Sequence, residues 1–467
     1  MQIFRPDLAR ELRARWRGPG PTLTVLSGPE SSGKTTLVRH SLPGDRTLWL
    51  RGSELPSPLL AREHGKALTA FFDGPVPDAG GWDALSPLLV QGLEARGAAG
   101  TVVVWDRASP LLRDPRWRGM LEAVWADLRA HARPVHLVLI VRTPPRIATP
   151  PLPGGPGPAV LRLQLAPLGL REATARFHDW PPLQRLVAFG LLGGEPRVWD
   201  LMDPGVRLGT NLSRLLLEPG APLRTFADQR FPIPGRNVER GLALVHALAS
   251  GAREWGEMRE RARVFRTSSE LGPYVKALRD ADLVVARRSL DAAPGSRNRR
   301  YDLVPPLLAF WHALVQPLLG ELDAGAPPGR TWRERIEPEI PALMTRRLPG
   351  LVRDHLHRHG HERFRAPARE AGGLWGEGYD LPVAGTLASG APFYGITSWD
   401  DPGPDAMDRL LEQVAETRYG YGREARVLLL FSARDVAWEV ERSVARRPQS
   451  FLLRPGDLTG NASGSGE

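Results

Sequence analysis

The sequence of 467 residues contains no cysteine, so disulfide bonds and thiolate metal sites are excluded. Lysine is scarce as well: among the 62 basic residues, the lysines are Lys34, Lys66 and Lys276. No apolar run approaches the roughly 20 residues of a membrane-spanning helix, and the N-terminus lacks the pattern of a signal peptide. We therefore expect no membrane partner and a cytoplasmic location.

The chain is nevertheless strongly basic, with a formal net charge of +10. Basic chains often bind nucleic acid or another anionic surface. The 49 glycines and 46 prolines that accompany the arginines are also typical of a coding bias. Two interpretations follow: the arginines cover a solvated surface, or some of them form a patch that binds double-stranded DNA.

Short apolar runs alternate with helical patterns in the N-terminal third of the chain. The helical patterns include residues 1–17, 82–95 and 117–130. Strands that alternate with helices predict an α/β fold, with a mostly parallel sheet and helices on both faces. The predicted strands are residues 22–26, 47–50, 102–105, 136–141 and 161–165.

The first predicted strand leads into the pattern G-x-x-x-x-G-K-[ST], in which Gly28, Gly33, Lys34 and Thr35 are the fixed positions. Such a loop curls its backbone N–H groups around a phosphate, and the following helix adds its positive N-terminal end. Lys34 is expected to reach the β- and γ-phosphates, and the Thr35 hydroxyl to bind Mg²⁺. The alternative is a glycine-rich turn without a ligand. The residues expected to bind ATP here are Gly28, Ser31, Ser32, Gly33, Lys34, Thr35 and Thr36.

Asp106 comes directly after the apolar run 102–105, at the edge where open α/β sheets bind ligands. We predict that it is the second Mg²⁺ ligand of the protein, although it could also simply end a strand. The next residue is Arg107, where P-loop ATPases of the additional-strand type usually carry a glutamate base. Since arginine cannot act as a base near pH 7, we predict slow hydrolysis or a base elsewhere, for which Glu30 is a candidate.

Arg142 follows the predicted strand 136–141, at the place where such ATPases sense the γ-phosphate. We expect its guanidinium to pair with that phosphate, the alternative being an ordinary surface arginine. The predicted catalytic residues are thus Lys34, Asp106 and Arg142.

The rest of the chain divides by its patterns. Helical patterns followed by two short apolar strands, at 283–288 and 301–304, suggest a winged helix. The polar tail has the composition of a disordered segment. The predicted domains are a P-loop core (1–169), a helical lid (170–236), a winged helix (237–304), a connector (305–340) with a linker at 320–330, a C-terminal α/β domain (341–459) and a disordered tail (460–467).

Several motifs appear in a fixed order after the P-loop core. They are Leu165-Ala166-Pro167-Leu168, Arg171-Glu172-Ala173, Phe189-Gly190 with Gly193-Gly194-Glu195-Pro196, and Tyr301 with Phe310-Trp311. In this order they resemble the archaeal-type ATPase family of the STAND branch of P-loop NTPases. The resemblance implies that Pro196 contacts the base or ribose of the nucleotide, or else is part of a plain helix-capping turn. It also implies, loosely, that Arg5 closes the adenine side of the pocket.

Members of that family often end in a domain that resembles a restriction endonuclease. Asp380 matches a carboxylate of the family's first active-site strand. In the second strand, Ile396 and Ser398 stand where the family has Glu and Lys. A single carboxylate cannot hold the metal and position water, so we predict a degenerate domain without nuclease activity.

The predicted winged helix could contact DNA, or pack internally or against a partner. Its recognition helix would span 269–281, with Tyr274, Lys276 and Arg279 on it. The wing would carry Arg287, Arg288, Arg297, Arg299 and Arg300. The alternating histidines from His355 to His361 are interpreted as a solvated helix end.

Two functions remain open from the sequence. One is an ATP-binding protein associated with DNA, with weak or gated hydrolysis. The other is a nucleotide-dependent switch or scaffold that acts through protein partners, including further copies of the chain, without DNA. A small-molecule kinase fits less well, because a long chain follows the predicted sensor strand.

Overall fold

The computed structural model describes residues 5–29, 32–74, 81–97, 100–142, 159–224, 237–296, 298–423 and 426–460. Predicted positions Glu30, Ser31 and Arg297 lie outside these residues, as does most of the predicted disordered tail. The chain forms two compact units: Met1–Leu168 with Glu195–Asp200, and Gly169–Gly194 with Leu201–Glu467. Among the described residues, no helix is both long and apolar enough to cross a membrane.

A five-stranded sheet forms the centre of the first unit. Its strands are β1 (Thr22–Gly28), β2 (Thr47–Arg51), β3 (Thr101–Asp106), β4 (Val135–Arg142) and β5 (Val160–Gln164). They lie in the order β2-β3-β4-β1-β5, and all neighbours pair in parallel. Each strand coincides, to within a few residues, with one of the five predicted apolar runs, which confirms the prediction of an α/β fold with a parallel sheet.

Helices cover both faces of this sheet, because its central strands are apolar on both faces. In β3, Val103 and Trp105 belong to one core cluster, whereas Val102 and Val104 belong to another, as the period-2 alternation of a strand requires. The helices of this unit include α1 (Pro6–Trp16), α2 (Lys34–Ser41), α3 (Ser57–Phe72), α4 (Trp82–Ala95) and α5 (Pro115–Ala130). The first cluster includes residues of α3 to α5, and the second includes residues of α1 and α2.

The second unit begins with helices and a two-stranded hairpin. The hairpin joins β6 (Val284–Arg288) to antiparallel β7 (Arg299–Leu303), close to the predicted wing strands. The helices of this part are Leu170–Thr174, Pro182–Leu192, Leu208–Leu212, Val238–Ala249, Trp255–Ala262 and Leu271–Asp280, with a π-helical turn at Ser213–Leu217. Three helices followed by a hairpin are the elements of a winged helix, whose assignment stays a prediction.

The segment predicted as a connector, 305–340, is largely helical. It contains the helices Pro306–Phe310, Leu319–Asp323 and Pro328–Thr331, with π-helical turns at Trp311–Val315 and Trp332–Ile336. Pro306 and Pro328 stand in the first turns of two of these helices, where the missing N–H of proline costs nothing. The predicted linker 320–330 is therefore wrong in part.

A second five-stranded sheet follows the long helix Ile340–Phe364. Its strands are β8 (Ala368–Gly376), β9 (Tyr379–Leu387), β10 (Pro392–Ser398), β11 (Val427–Ser432) and β12 (Ser450–Leu453), in the order β12-β11-β10-β9-β8. The pairs from β8 to β10 are antiparallel, and those from β10 to β12 are parallel. Helices Ala406–Glu416 and Trp438–Ala445 share a core cluster with this sheet, and Pro455–Thr459 ends the described chain. A separate C-terminal α/β domain is thus present.

Arg300 ties the hairpin to this C-terminal sheet. Its Nη1 lies 2.8 and 2.9 Å from the two carboxylate oxygens of Asp380. Its guanidinium carbon also lies 4.8 Å from the centre of the Trp375 ring, a cation–π contact. With 20% of its side chain exposed, Arg300 is engaged within the unit, which agrees with internal packing, one of the two roles that the sequence left open for the wing.

The prediction of a solvated helix end holds for two of the four histidines of the long helix. His357 and His361 are exposed, whereas His359 is half-buried near Arg171 and Glu362. His355 is buried, and burial, with a further contribution from the nearby Arg171 charge, lowers its pKa to about 4. The prediction was wrong for His355 because one face of the helix packs against other residues of the unit.

The Arg300–Asp380 contact gives a prediction for stability. We expect replacement of each residue by Ala to destabilise the second unit, and the double variant to cost less than the sum. The coupling should be about 1 kcal/mol, since the pair is half exposed. The measurement is a double-mutant cycle by denaturant unfolding. Arg288→Ala, an exposed arginine of the same hairpin, serves as the control, and additive costs for Arg300 and Asp380 would contradict the coupling.

Candidate functional site

Lys34 forms hydrogen bonds to residues at both ends of the loop that joins β1 to α2. Gly33 caps α2 with a φ of 87°, a left-handed conformation that favours glycine. Lys34 is 8% exposed, and its ammonium donates to the carbonyl oxygen of Gly28 at 3.0 Å, to that of Pro29, and to Ser32 Oγ at 3.3 Å. The ammonium is therefore positioned inside the loop, beside the N-terminus of α2.

Thr35, in the first turn of α2, and Asp106, at the end of β3, are in contact although β1 and β3 are not neighbours in the sheet. The Thr35 hydroxyl donates to Asp106 Oδ1 over 3.0 Å. A hydroxyl and a carboxylate are the hard oxygen donors that Mg²⁺ prefers, and a Mg²⁺ site bound to a nucleotide uses only one or two protein ligands. Among the described residues, no group of three or more His, Asp or Glu side chains is arranged so that it could hold a metal ion. Thr35 and Asp106 thus fit the predicted Mg²⁺ ligands, where the ion would neutralise phosphate charge.

The turn after β3 is fixed in place by Arg107. Its φ is 56°, and its backbone N–H donates to Asp106 Oδ1 over 3.0 Å. Gly52, directly after β2, contacts this turn, and its N–H donates to the carbonyl oxygen of Asp106 over 2.7 Å. A Cβ on residue 52 would stand 2.2 Å from the carbonyl oxygen of Arg107, so this approach requires glycine. The residues that follow β2 are consequently held beside Asp106.

The end of β4 is held by Ser109. Its hydroxyl accepts a hydrogen bond from the Arg142 N–H over 2.8 Å and donates one to the Arg142 carbonyl oxygen over 3.1 Å. Arg142 is exposed and lines the same cavity as Lys34. This location suits the predicted contact with a γ-phosphate.

Pro196 lies against the loop. A Cβ added to Gly33 would stand 3.3 Å from Pro196 Cγ, so a larger residue at Gly33 would require a shift of a few tenths of an ångström between the two. Pro196 begins the helix Pro196–Leu201. Near the N-terminus, the Arg5 guanidinium donates to the carbonyl oxygen of Ala166. Both residues line the cavity, as the predicted contacts with base and ribose require.

A cavity of about 900 Å³ unites these groups, a size within the usual range of about 300–1,000 Å³ for ligand pockets. It brings together the predicted Ser32, Gly33, Lys34, Thr35, Thr36, Asp106, Arg142 and Pro196, while Gly28 contributes its carbonyl to Lys34. Predicted Ser31 falls outside the described residues. The polar side chains of the lining that the sequence did not suggest are Arg51, Ser53, Glu54, Ser109, Arg113, Arg197 and Asp200.

Most of these additional residues follow β2 or β3. The carboxyl ends of parallel strands meet at one sheet edge, so the signal that could have identified Ser53 and Glu54 was their place directly after the strand β2. Arg197 and Asp200 carry no such signal, because they reach the cavity from a helix distant in sequence.

The fold of the first unit is that of a P-loop NTPase. No family model matches the chain, and no curated protein is significantly similar to it in sequence. Similar solved structures include a Walker-type ATPase of Pyrococcus abyssi, at 16% identity over 66% of this chain and 96% of the other, with a TM-score of 0.41.

Two further solved structures are similar at a comparable level. The Orc1 protein of Aeropyrum pernix, solved in complex with DNA, is 17% identical over 69% of this chain and 93% of its own, with a TM-score of 0.38. A STAND protein of Pyrococcus horikoshii with a tetratricopeptide repeat sensor is 12% identical over 75% of this chain and 50% of its own, with a TM-score of 0.30.

The Thr35–Asp106 pair predicts a metal-dependent change in nucleotide affinity. In Asp106→Asn, the hydrogen bond to Thr35 can persist but the charge is lost, so ATP affinity in the presence of Mg²⁺ should fall about tenfold or more. Affinity measured in EDTA should stay near that of the wild type. Titration calorimetry with and without Mg²⁺ provides the measurement. Asp83→Asn, in the first turn of α4, is the matched control, and an equal loss in EDTA would argue against metal binding by Asp106.

Proposed function

We propose that this protein binds ATP with Mg²⁺ at the β1–α2 loop and acts as a P-loop NTPase with weak or gated hydrolysis. One observation carries the proposal: Lys34, Thr35 and Asp106 converge on a single cavity at the carboxyl edge of a parallel sheet. A phosphate in this cavity would have an ammonium, a helix N-terminus and two metal ligands within its surroundings.

Slow turnover is supported by the residue after Asp106. Arg107 keeps its positive charge at neutral pH and cannot accept a proton from water. The groups proposed to bind ATP and Mg²⁺, which are the phosphate loop, Thr35 and Asp106, are nevertheless in place. Weak hydrolysis is therefore compatible with ATP binding.

Association with double-stranded DNA is the second part of the proposal. Exposed arginines cluster around the helix Trp255–Ala262, at Arg259, Arg261, Arg263 and Arg266, and Arg288 is exposed on the hairpin. On the helix Leu271–Asp280, the Lys276 side chain is 76% exposed. Such residues suit phosphate contacts.

Nuclease activity is not part of this proposal. Asp380 is bound by Arg300, and Ile396 and Ser398 supply neither a carboxylate nor an ammonium. The alternative to DNA is a nucleotide-dependent switch that signals through a protein partner or a second copy of the chain. The arginines at the hairpin that are engaged inside the unit, Arg287 with Asp302 and Arg300 with Asp380, favour this alternative.

The scarcity of lysine allows a clean test of ATP binding. We expect Lys34→Ala to lower ATP affinity by at least about tenfold, because a charge-assisted phosphate contact is lost. Lys66→Ala, an exposed lysine of α3, should bind as the wild type does. Fluorescent-nucleotide titration measures both. Unchanged affinity in Lys34→Ala would overturn the proposed ATP site.

DNA association is tested by its salt dependence. If the basic residues contact phosphates, affinity for duplex DNA should fall steeply with salt, and Lys276→Ala with Arg288→Ala should reduce both the affinity and the slope. Fluorescence anisotropy at several salt concentrations gives the slopes. Arg10→Ala, on α1 in the first unit, is the control. A DNA affinity that changes neither with the salt concentration nor in the double variant would favour the switch hypothesis.

A further inference from the structure

Hydrolysis in this site needs a carboxylate that the motif does not supply. A water molecule attacks the γ-phosphate efficiently only when a neighbouring group orients it and takes its proton. Arg107 occupies the position next to Asp106 and cannot take that proton. Another side chain of the described cavity lining could act as the base instead.

Among the described lining residues, the carboxylates are Asp106, Asp200 and Glu54. Asp106 accepts hydrogen bonds from the Thr35 hydroxyl and from the backbone N–H of Arg107. These bonds fix its carboxylate in one orientation, which suits the proposed metal ligand. Asp200 lies one helical turn beyond Pro196, which contacts the loop glycine Gly33. Glu54 is the one that follows a strand next to β3.

The backbone before Glu54 is fixed against the metal-ligand turn. Arg51 is paired with Asp106 in the register of β2 and β3, and the Gly52 N–H donates to the carbonyl oxygen of Asp106 over 2.7 Å. The absence of a Cβ at Gly52 allows the approach to Arg107 described above. Glu54 stands only two residues further, so its Cα is held near the end of β3.

The Glu54 side chain is much less constrained than its backbone. It is 77% exposed, and its carboxylate pairs with Arg113 at 3.7 Å, itself 74% exposed. A long ion pair between two exposed side chains is screened by water and holds neither group firmly. The carboxylate can therefore leave Arg113 and turn into the cavity that both residues line.

We infer that Glu54 is the carboxylate that orients and deprotonates the attacking water, an inference that rests on the proposed ATP site. The water oxygen forms a bond to the γ-phosphorus as the bond from that phosphorus to the bridging oxygen breaks. The electron pair of the broken bond stays on the β-phosphate, which leaves as part of ADP. The water proton passes to the Glu54 carboxylate and from there to the released phosphate.

In this arrangement the base is not the residue next to Asp106 but Glu54, which follows the neighbouring strand β2. Since Glu54 is shared between Arg113 and the cavity, hydrolysis depends on how often the carboxylate turns inward. Slow turnover is consistent with this arrangement.

The test compares Glu54→Gln with the wild type in ATP turnover and in ATP affinity. We expect kcat to fall about 100-fold, the usual contribution of a general base, with the affinity for ATP and Mg²⁺ unchanged within about twofold, since glutamine keeps the shape but not the basicity. After incubation and gel filtration, Glu54→Gln should retain ATP where the wild type retains ADP. Glu54→Asp should recover part of the rate.

Glu63→Gln is the matched control, since Glu63 is exposed on α3 and does not line the cavity. Wild-type turnover in Glu54→Gln would overturn the inference, as would a loss of kcat in Asp200→Asn but not in Glu54→Gln. A wild type that binds ATP and never hydrolyses it would overturn the role of Glu54 and leave the ATP site intact. A wild type that does not bind ATP would contradict the proposed function itself.

Discussion

The hydrogen bond from Thr35 to Asp106 joins two parts of the chain that sequence keeps 71 residues apart. It spans β4, which lies between β1 and β3 in the sheet, and it can form because all three strands run in the same direction. Parallel strands gather their carboxyl ends at one edge. Every residue of the cavity that follows a strand, from Lys34 to Arg142, depends on that common direction.

The sheet and the main site residues were predictable because both are local signals. A strand buried on both faces is an uninterrupted apolar run, as in β3 and β4, and the phosphate loop is a contiguous motif. The strand β8 was not predicted, since its sequence from Ala368 to Gly376 alternates neither in polarity nor in size and includes three glycines. The four-residue edge strand β12 is too short to show a period. Arg197 and Asp200 were missed for a different reason, because only the folded chain brings their helix to the cavity.

The arginines show why net charge is a weak guide to function. The sequence left two roles for them, a solvated surface or a DNA-binding patch, but the structure adds a third. Arg185 is buried and donates to the carbonyl oxygen of Thr459 over 2.8 Å, and Arg353 donates to the carbonyl of Pro382. Burial lowers the pKa of Arg347 and of Arg353 to about 10, so both keep their charge at neutral pH. These guanidiniums hold carbonyl groups of the second unit together and are not available to a ligand.

The course of the chain around Pro196 bears on the choice between continuous ATP turnover and a nucleotide-dependent switch. Glu195–Asp200 belongs to the first unit, where Pro196, Arg197 and Asp200 line the cavity, whereas Gly169–Gly194 and Leu201–Glu467 belong to the second unit. The chain therefore crosses from one unit to the other on both sides of Pro196. In the switch proposed as the alternative function, a nucleotide that displaces Pro196 would move these two crossings, and this requires binding but not rapid hydrolysis. Arg107, which stands where a base would follow Asp106, is compatible with such a switch.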